Sequence, residues 1–205
     1  MDQRDVVREG YDEIADAYDD HRAEETHVGF ESGVTDRFFD SLTDGSRVLD
    51  AGCGGGRPVL QRLDRAHDTV GLDISTQQLE LSRERVPTAR LAQGDLGRLP
   101  FGDDSFDAVV SFYAIIHVPK DEHEEVLAEF ERVLRPGGEL LVSIGAIEGW
   151  EGTNDDWLDT GTAMAWSYYG PEKSREIVTD AGFEVVDERV PEVESDGFSI
   201  FWGQT

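Results

Sequence analysis

Cysteine is nearly absent from this chain of 205 residues: Cys53 stands alone. An internal disulfide and a cysteine-rich zinc site are therefore both excluded. Lysine is almost as scarce, with Lys120 and Lys173 the only two, and 18 basic residues face 45 acidic ones for a formal net charge of −27. Nucleic-acid backbones are held by clustered Lys and Arg, so this balance argues against a nucleic-acid partner. Long apolar runs are missing too. The stretch richest in apolar residues, Ala108–Val118, falls far short of the roughly 20 residues that span a bilayer. The N-terminal Met-Asp-Gln-Arg-Asp has no apolar leader core. The expectation is a cytoplasmic protein with no membrane segment, acting as a monomer or homodimer.

What is present suits one packed domain. Apolar residues make up 38% of the chain, and the length fits a single α/β domain with embellishment. The acids are spread along the whole chain and form no tail. That distribution reads as a solvated surface suited to concentrated salt, where self-repulsion is screened, and it resembles the acidic proteins of haloarchaea. Asn154-Asp155-Asp156 fits an acidic turn in such a chain, and no metal site is expected.

Helical spacing of Val7, Tyr11, Ile14 and Tyr18 predicts an amphipathic N-terminal helix, and Phe30, Val34 and Phe38 predict a second over 29–42. From Arg47 onward strand and helix patterns alternate. Strands are expected at 47–51, 69–73, 89–93, 106–112 and 138–144, with helices at 59–66, 76–85 and 121–134. Such alternation implies right-handed βαβ units and a parallel sheet covered on both faces. The third and fourth strands are joined by a loop, 94–105. Residues 145–169 read as irregular. Pro171 opens a last helix, ending near Gly182, and 183–190 with 198–202 form a terminal antiparallel pair. The expected parts of this single domain are an N-terminal helical segment (1–45), a core (46–145), an insertion (146–170), and a C-terminal helix and hairpin (171–205).

The most informative segment is Val48-Leu49-Asp50-Ala51-Gly52-Cys53-Gly54-Gly55-Gly56-Arg57-Pro58. Glycine at a strand-to-helix turn lets the backbone bend sharply and lets a ligand approach the main chain, while the following helix offers unpaired N–H groups to an anion. The dinucleotide fingerprint fails here, since Arg57 occupies its third glycine position. The pattern Asp50, Gly52, Gly54, Gly56 instead resembles motif I of the class I S-adenosylmethionine-dependent methyltransferases. Further landmarks follow in order: Gly-Leu-Asp73-Ile74-Ser, Gln-Gly-Asp95-Leu96, Phe106-Asp107-Ala108-Val109-Val110, and Arg132-Val-Leu-Arg-Pro-Gly-Gly138. The sequence around Tyr113–Pro119 resembles the small-molecule (type 11/25-like) branch, and no Pro-Pro-Tyr follows the fourth strand.

The resemblance implies a Rossmann-like, doubly wound, seven-stranded sheet of order 3-2-1-4-5-7-6 with its last strand antiparallel. It also implies S-adenosyl-L-methionine as cofactor and a small organic methyl acceptor. Asp73 would accept the ribose hydroxyls and Asp95 the adenine amino group, with Ile74 and Leu96 flanking the ring; both acids also fit simple helix capping. The segment Tyr11–Tyr18 resembles a cofactor lid, or its tyrosines are core aromatics. At the carboxyl edge of the sheet the fourth strand delivers Phe112, Tyr113 and His117. Tyr113 and His117 are the catalytic candidates, His117 as a base or as a hydrogen-bonding histidine. Trp150, Trp157, Trp166, Tyr168 and Tyr169 wall an acceptor pocket or pack as a cap over the sheet edge. Cys53 fits a packing role. The alternatives are a nicotinamide-dependent oxidoreductase and a non-catalytic S-adenosylmethionine-binding protein.

Overall fold

The computed structural model describes residues 2–24, 33–145, 148–191 and 198–205. Its helices and strands run α1 (Gln3–Glu13), α2 (Ala15–Glu24), α3 (Gly33–Ser41), β1 (Arg47–Ala51), α4 (Val59–Leu63), β2 (Asp68–Asp73), α5 (Thr76–Arg85), β3 (Arg90–Gln93), β4 (Phe106–Ser111), α6 (His123–Val133), β5 (Leu134–Ser143), β6 (Trp150–Trp157), β7 (Thr162–Tyr168), α7 (Pro171–Asp180), β8 (Glu184–Arg189) and β9 (Ile200–Gln204). Seven strands form one sheet in the order β3-β2-β1-β4-β5-β9-β8, and β6 pairs with β7 in a separate hairpin. Strands β1 to β5 are mutually parallel, whereas β9 runs antiparallel to both β5 and β8. Numbered by position among the sheet strands alone, this is the expected 3-2-1-4-5-7-6 order.

The central strands read as nearly unbroken apolar runs because helices cover both sides of the sheet. Successive side chains point to opposite faces. Leu49, Val109, Leu140, Val142 and Phe201 therefore join Val126, Leu127 and Phe130 of α6 and Ile177 and Val178 of α7. Their immediate neighbours Val48, Ala108, Val110, Leu141 and Ile200 join Val34, Phe38 and Phe39 of α3 and Val59 and Leu63 of α4. Helix α5 is started by Ser75, whose Oγ accepts the Gln78 N–H.

Two expectations are corrected. The N-terminal stripe belongs to two helices: the chain leaves helical geometry at Ile14 (φ −108°, ψ 18°) and restarts at Ala15. The spacing of Val7, Tyr11, Ile14 and Tyr18 continues across the break, so periodicity could not reveal it. The second correction concerns 145–169, which holds the β6–β7 hairpin. Strand β6 is exposed at most positions and lacks the alternation of a half-buried strand. Its pairing with β7, as in Thr153 opposite Ala165 and Asn154 opposite Met164, makes it a strand. Leu158 and Asp159, both at φ 57°, turn the chain between them. The second expected helix is seen as Gly33–Ser41; its first residues and Phe30 lie outside the described residues.

The hairpin packs on α1. Gly10 makes that possible, because a Cβ there would sit 2.7 Å from the Ala163 carbonyl oxygen. No helix among the described residues is long and apolar enough to cross a membrane.

Candidate active site

The carboxyl ends of β1, β2 and β4 open into one cleft, the usual ligand position in an open α/β sheet. Arg4, Val7, Tyr11, Tyr18, Gly52, Gly54, Leu72, Asp73, Ile74, Gln78, Gly94, Asp95, Leu96, Phe112, Tyr113, Ala114, His117 and Val118 line its larger part. Of the eleven residues expected to bind cofactor, nine are in that set; Asp50 lines an adjoining polar pocket with Tyr18, Asp19, Arg22, Gly52, Gly54, Arg57 and Gln78. Gly56 lies behind the loop at φ 85° and meets neither cavity lining.

The loop itself is fastened to β2. Gly52 and Cys53 both donate N–H bonds to the Leu72 carbonyl, at 2.7 and 2.9 Å. Gly52 has φ +86°, and a Cβ on it would lie 2.2 Å from the Ala114 Cβ. Only glycine gives this turn and leaves the cleft floor open. Helix α4 is a short segment whose Leu60 N–H is taken by Asp50, so the anion at its start is the protein's own carboxyl group. Burial raises the Cys53 thiol well above its ordinary pKa, in keeping with a packing role.

Asp73 is fixed by the main chain: Oδ2 accepts the Gly54 N–H at 2.8 Å and Oδ1 the Ser75 N–H at 2.9 Å. Burial raises its pKa, while these bonds oppose the rise. A carboxylate has about four acceptor positions, so hydroxyl donors from a ligand can still be received. Asp95 accepts the Gly97 N–H at 2.8 Å and lies 2.6 Å from Nε of Arg4 on α1. Arg4 also pairs with Glu122. Asp50 is different. It is 2% exposed, its Oδ2 has no hydrogen-bond partner among the described residues, and burial, with Asp73 nearby, pushes its pKa up to about 8.

Over the cleft, His117 joins three elements. Its Nδ1 lies 2.8 Å from the Ala165 carbonyl of β7 and its Nε2 2.9 Å from the Tyr11 hydroxyl of α1. A carbonyl only accepts, so Nδ1 carries the proton and Tyr11 donates to Nε2. Burial lowers the His117 pKa to about 4, which keeps the ring neutral near pH 7. The nitrogen that a base would use is thus occupied by Tyr11. Tyr113 has φ 55°, donates its N–H to Ser143 Oγ at 2.7 Å, and lies under the Arg22 guanidinium, 5.1 Å from the ring centre. Backbone strain of this kind tends to gather at functional sites.

The five aromatic residues of the hairpin region do not share one wall. Trp157 packs edge-on to Tyr11 and beside Tyr18, with ring centres 5.6 and 5.3 Å apart. Trp166 contacts His117 and Trp157. Trp150 is 44% exposed, Tyr168 packs on Phe198, and Tyr169 on His123. None of the five borders the two cavities described above.

Three residues of the cleft escape a motif reading: Arg4, Arg22 and Gln78. Arg4 shares the helical stripe of Val7 and Tyr11, a signal that spacing could have supplied. Gln78 is an amide inside a motif whose recognisable letters are Asp73 and Ser75. Arg22 carries no distinguishing local pattern.

Known proteins converge on the same family. A profile described as "Methyltransferase domain" matches residues 49–142. An uncharacterized methyltransferase of Synechocystis sp. is 34% identical over 150 residues, covering 71% of this chain and 70% of that protein. The 27-O-demethylrifamycin SV methyltransferase of Amycolatopsis mediterranei is 34% identical over 157 residues, covering 66% of this chain and 57% of that enzyme. The chain spans 44% to 60% of the length of three curated relatives it matches. Among solved structures, the 1,6-didemethyltoxoflavin-N1-methyltransferase of Burkholderia thailandensis, with bound 1,6-didemethyltoxoflavin and S-adenosylhomocysteine, superposes with a TM-score of 0.74 at 19% identity. The match covers 98% of this chain and 87% of that one, a likeness of fold. The glycine loop, the two strand-end acids and these relatives together identify the chain as a member of the S-adenosylmethionine-dependent methyltransferases.

Proposed function

We propose that this chain transfers the methyl group of S-adenosylmethionine to a small organic acceptor. The observation that carries the reading is the main-chain anchoring of Asp73 beside Gly52 and Gly54 at the floor of the cleft. The residues present suit the cofactor. Asp73 has acceptor capacity for ribose hydroxyls. Asp95, with Leu96 and Ile74 beside it, suits the adenine end. The unpartnered Asp50 Oδ2 suits the ammonium of the amino-acid tail. When bound, the cofactor would supply a sulfonium methyl whose carbon an acceptor lone pair attacks in line, the C–S bond breaking with its electron pair left on sulfur.

The protein's own work is then positioning and exclusion of water. Tyr11 and Tyr18 on the lid helices, with Phe112 and Tyr113 below, give aromatic faces suited to a cationic centre, each worth ~0.5–2 kcal/mol. His117 orients Tyr11, and its low pKa favours an acceptor that brings its own lone pair. Trp157 and Trp166 pack behind Tyr11 and His117 and support that side of the cleft. The relatives named above act on a rifamycin and on a toxoflavin precursor, which supports small acceptors. The acidic surface supports a cytoplasm rich in salt.

Thermal unfolding in multimolar KCl with S-adenosylmethionine, S-adenosylhomocysteine or NAD(H) tests the reading. A ligand at a hundredfold excess over its Kd adds ~2.7 kcal/mol of stability. Stabilisation by the two adenosyl compounds alone is expected. Stabilisation by NAD(H) alone would overturn the proposal in favour of an oxidoreductase.

A further inference from the structure

Besides Asp50, one buried polar group in the cleft finds no hydrogen-bond partner among the described residues. Gln78, in the first turn of α5, is 1% exposed. Its main-chain N–H is used by Ser75 Oγ, at 3.1 Å. The side chain runs back over the glycine loop: its Oε1 lies 3.6 and 3.4 Å from where a Cβ on Gly54 or Gly55 would stand. Its Nε2 is buried without a hydrogen-bond partner. An unmade bond of this kind is costly for the folded chain, and an apolar side chain of similar length would avoid it. Helix α5 gains nothing from the amide.

The surroundings say what the missing partner is. Gln78 borders both the larger cavity and the polar pocket beside it. In that pocket Arg22 and Arg57 bring positive charge, and Asp50 offers a second unpartnered atom of opposite hydrogen-bonding sense. An acceptor lacking a donor and a donor lacking an acceptor, on either side of one loop, match a group that is both cation and anion. A ribose hydroxyl that donates to Asp73 keeps lone pairs able to accept from Nε2, but the lining of the polar pocket, Arg22 and Arg57 with Asp19 and Asp50, favours a group bearing both charges. An α-amino acid has the required pair.

We propose that Gln78 is a cofactor-binding residue whose Nε2 donates to the α-carboxylate of the amino-acid tail, while Asp50 receives the α-ammonium. This rests on the cofactor reading given above and adds a residue on α5 to the glycine loop's own contacts. Because hydrogen bonds to charged acceptors are the stronger kind, Gln78→Met should weaken S-adenosylhomocysteine by about 10- to 100-fold. Methylthioadenosine has the same adenine, ribose and sulfur but no amino-acid tail, and its affinity should not change.

Calorimetric titration of the full chain with both ligands decides the matter. Gln78→Met removes an unsatisfied donor, so the ligand-free variant should unfold at or above the wild-type temperature, and a loss of affinity cannot be ascribed to misfolding. Gln78→Glu, which sets a carboxylate against a carboxylate, should weaken S-adenosylhomocysteine further still and again spare methylthioadenosine. Equal losses for both ligands would assign Gln78 to the ribose and overturn the inference. Unchanged affinity for both would overturn it as well. Failure of the wild-type chain to bind either ligand would overturn the cofactor reading itself, a result distinct from the other two.

Discussion

The two ends of the cleft are built on opposite terms. At the end proposed for adenosine, Asp73 receives two main-chain N–H groups and Asp95 receives one together with the Arg4 guanidinium. Those carboxylates are held in place before any ligand arrives. At the other end, Asp50 Oδ2 and Gln78 Nε2 are buried and unpartnered. The first end is preorganised; the second holds groups left unsatisfied among the described residues, whose partners the proposed amino-acid tail would supply. The proposed amino-acid end should therefore couple binding to protonation and to stability more strongly than the adenosine end, where main-chain N–H bonds oppose the rise in the Asp73 pKa.

The largest effect should come from breaking the preorganised end. Asp73→Ala removes the acceptor proposed for the ribose hydroxyls and leaves the Ser75 and Gly54 N–H groups without this partner. Hydrogen bonds to a charged group contribute ~1.5–3 kcal/mol each. S-adenosylhomocysteine and methylthioadenosine should both lose at least about 100-fold in affinity by calorimetry. A loss confined to S-adenosylhomocysteine would reverse the orientation assigned to the cleft.

The contrast also explains which parts were legible in the sequence. Asp73 and Asp95 sit at strand ends, where chain position alone dictates the site, and the parallel sheet followed from alternating patterns around them. The glycine loop was readable for that reason, whereas the order of strands came only from the family resemblance that these motifs carry. The hairpin was not, because β6 is made a strand by pairing rather than by its own residues. Nor was the break at Ile14, which leaves the apolar spacing intact. Gln78 and Arg4 act through tertiary neighbours, Gly54 and Asp95, that lie far along the chain. His117 was legible as a cleft residue, yet its tautomer depends on the Ala165 carbonyl, 48 positions away, and no local pattern contains that.

Next in size is the pH dependence of the unsatisfied end. Asp50, with a pKa near 8 when folded against about 3.9 when unfolded, binds more protons in the native state throughout that interval. Its contribution makes stability fall as pH rises from about 4 to about 8, and Asp73, raised by burial, acts in the same sense. His117 opposes them. Its folded pKa of about 4 lies below the unfolded value of about 6.5, so its contribution rises with pH across that range. The opposing slopes should offset each other below about pH 6.5, leaving a net decline in unfolding free energy from there to about pH 8. Asp50→Asn should flatten that decline in denaturant titrations of the ligand-free protein. S-adenosylhomocysteine should bind wild type more tightly as pH rises toward 8, by up to about tenfold per unit, because the ammonium favours the ionised carboxylate. A pH-independent affinity would detach Asp50 from the ligand.

The smallest expected effect tests whether the lid belongs to one end or to both. Tyr11 donates to His117 Nε2 at 2.9 Å and packs against Tyr18 and Trp157. Tyr11→Phe keeps the ring contacts and removes the hydroxyl, so the variant should lose about 1 kcal/mol of stability. Nuclear magnetic resonance of the imidazole should still find the proton on Nδ1, since the Ala165 carbonyl is untouched. Tyr11 borders the larger cavity but not the polar pocket around Asp50. The substitution should therefore shift S-adenosylhomocysteine and methylthioadenosine by the same factor. A shift for S-adenosylhomocysteine alone would move the lid's influence to the amino-acid end, and the Tyr11–His117 bond would then belong with Asp50 and Gln78 in reading the tail.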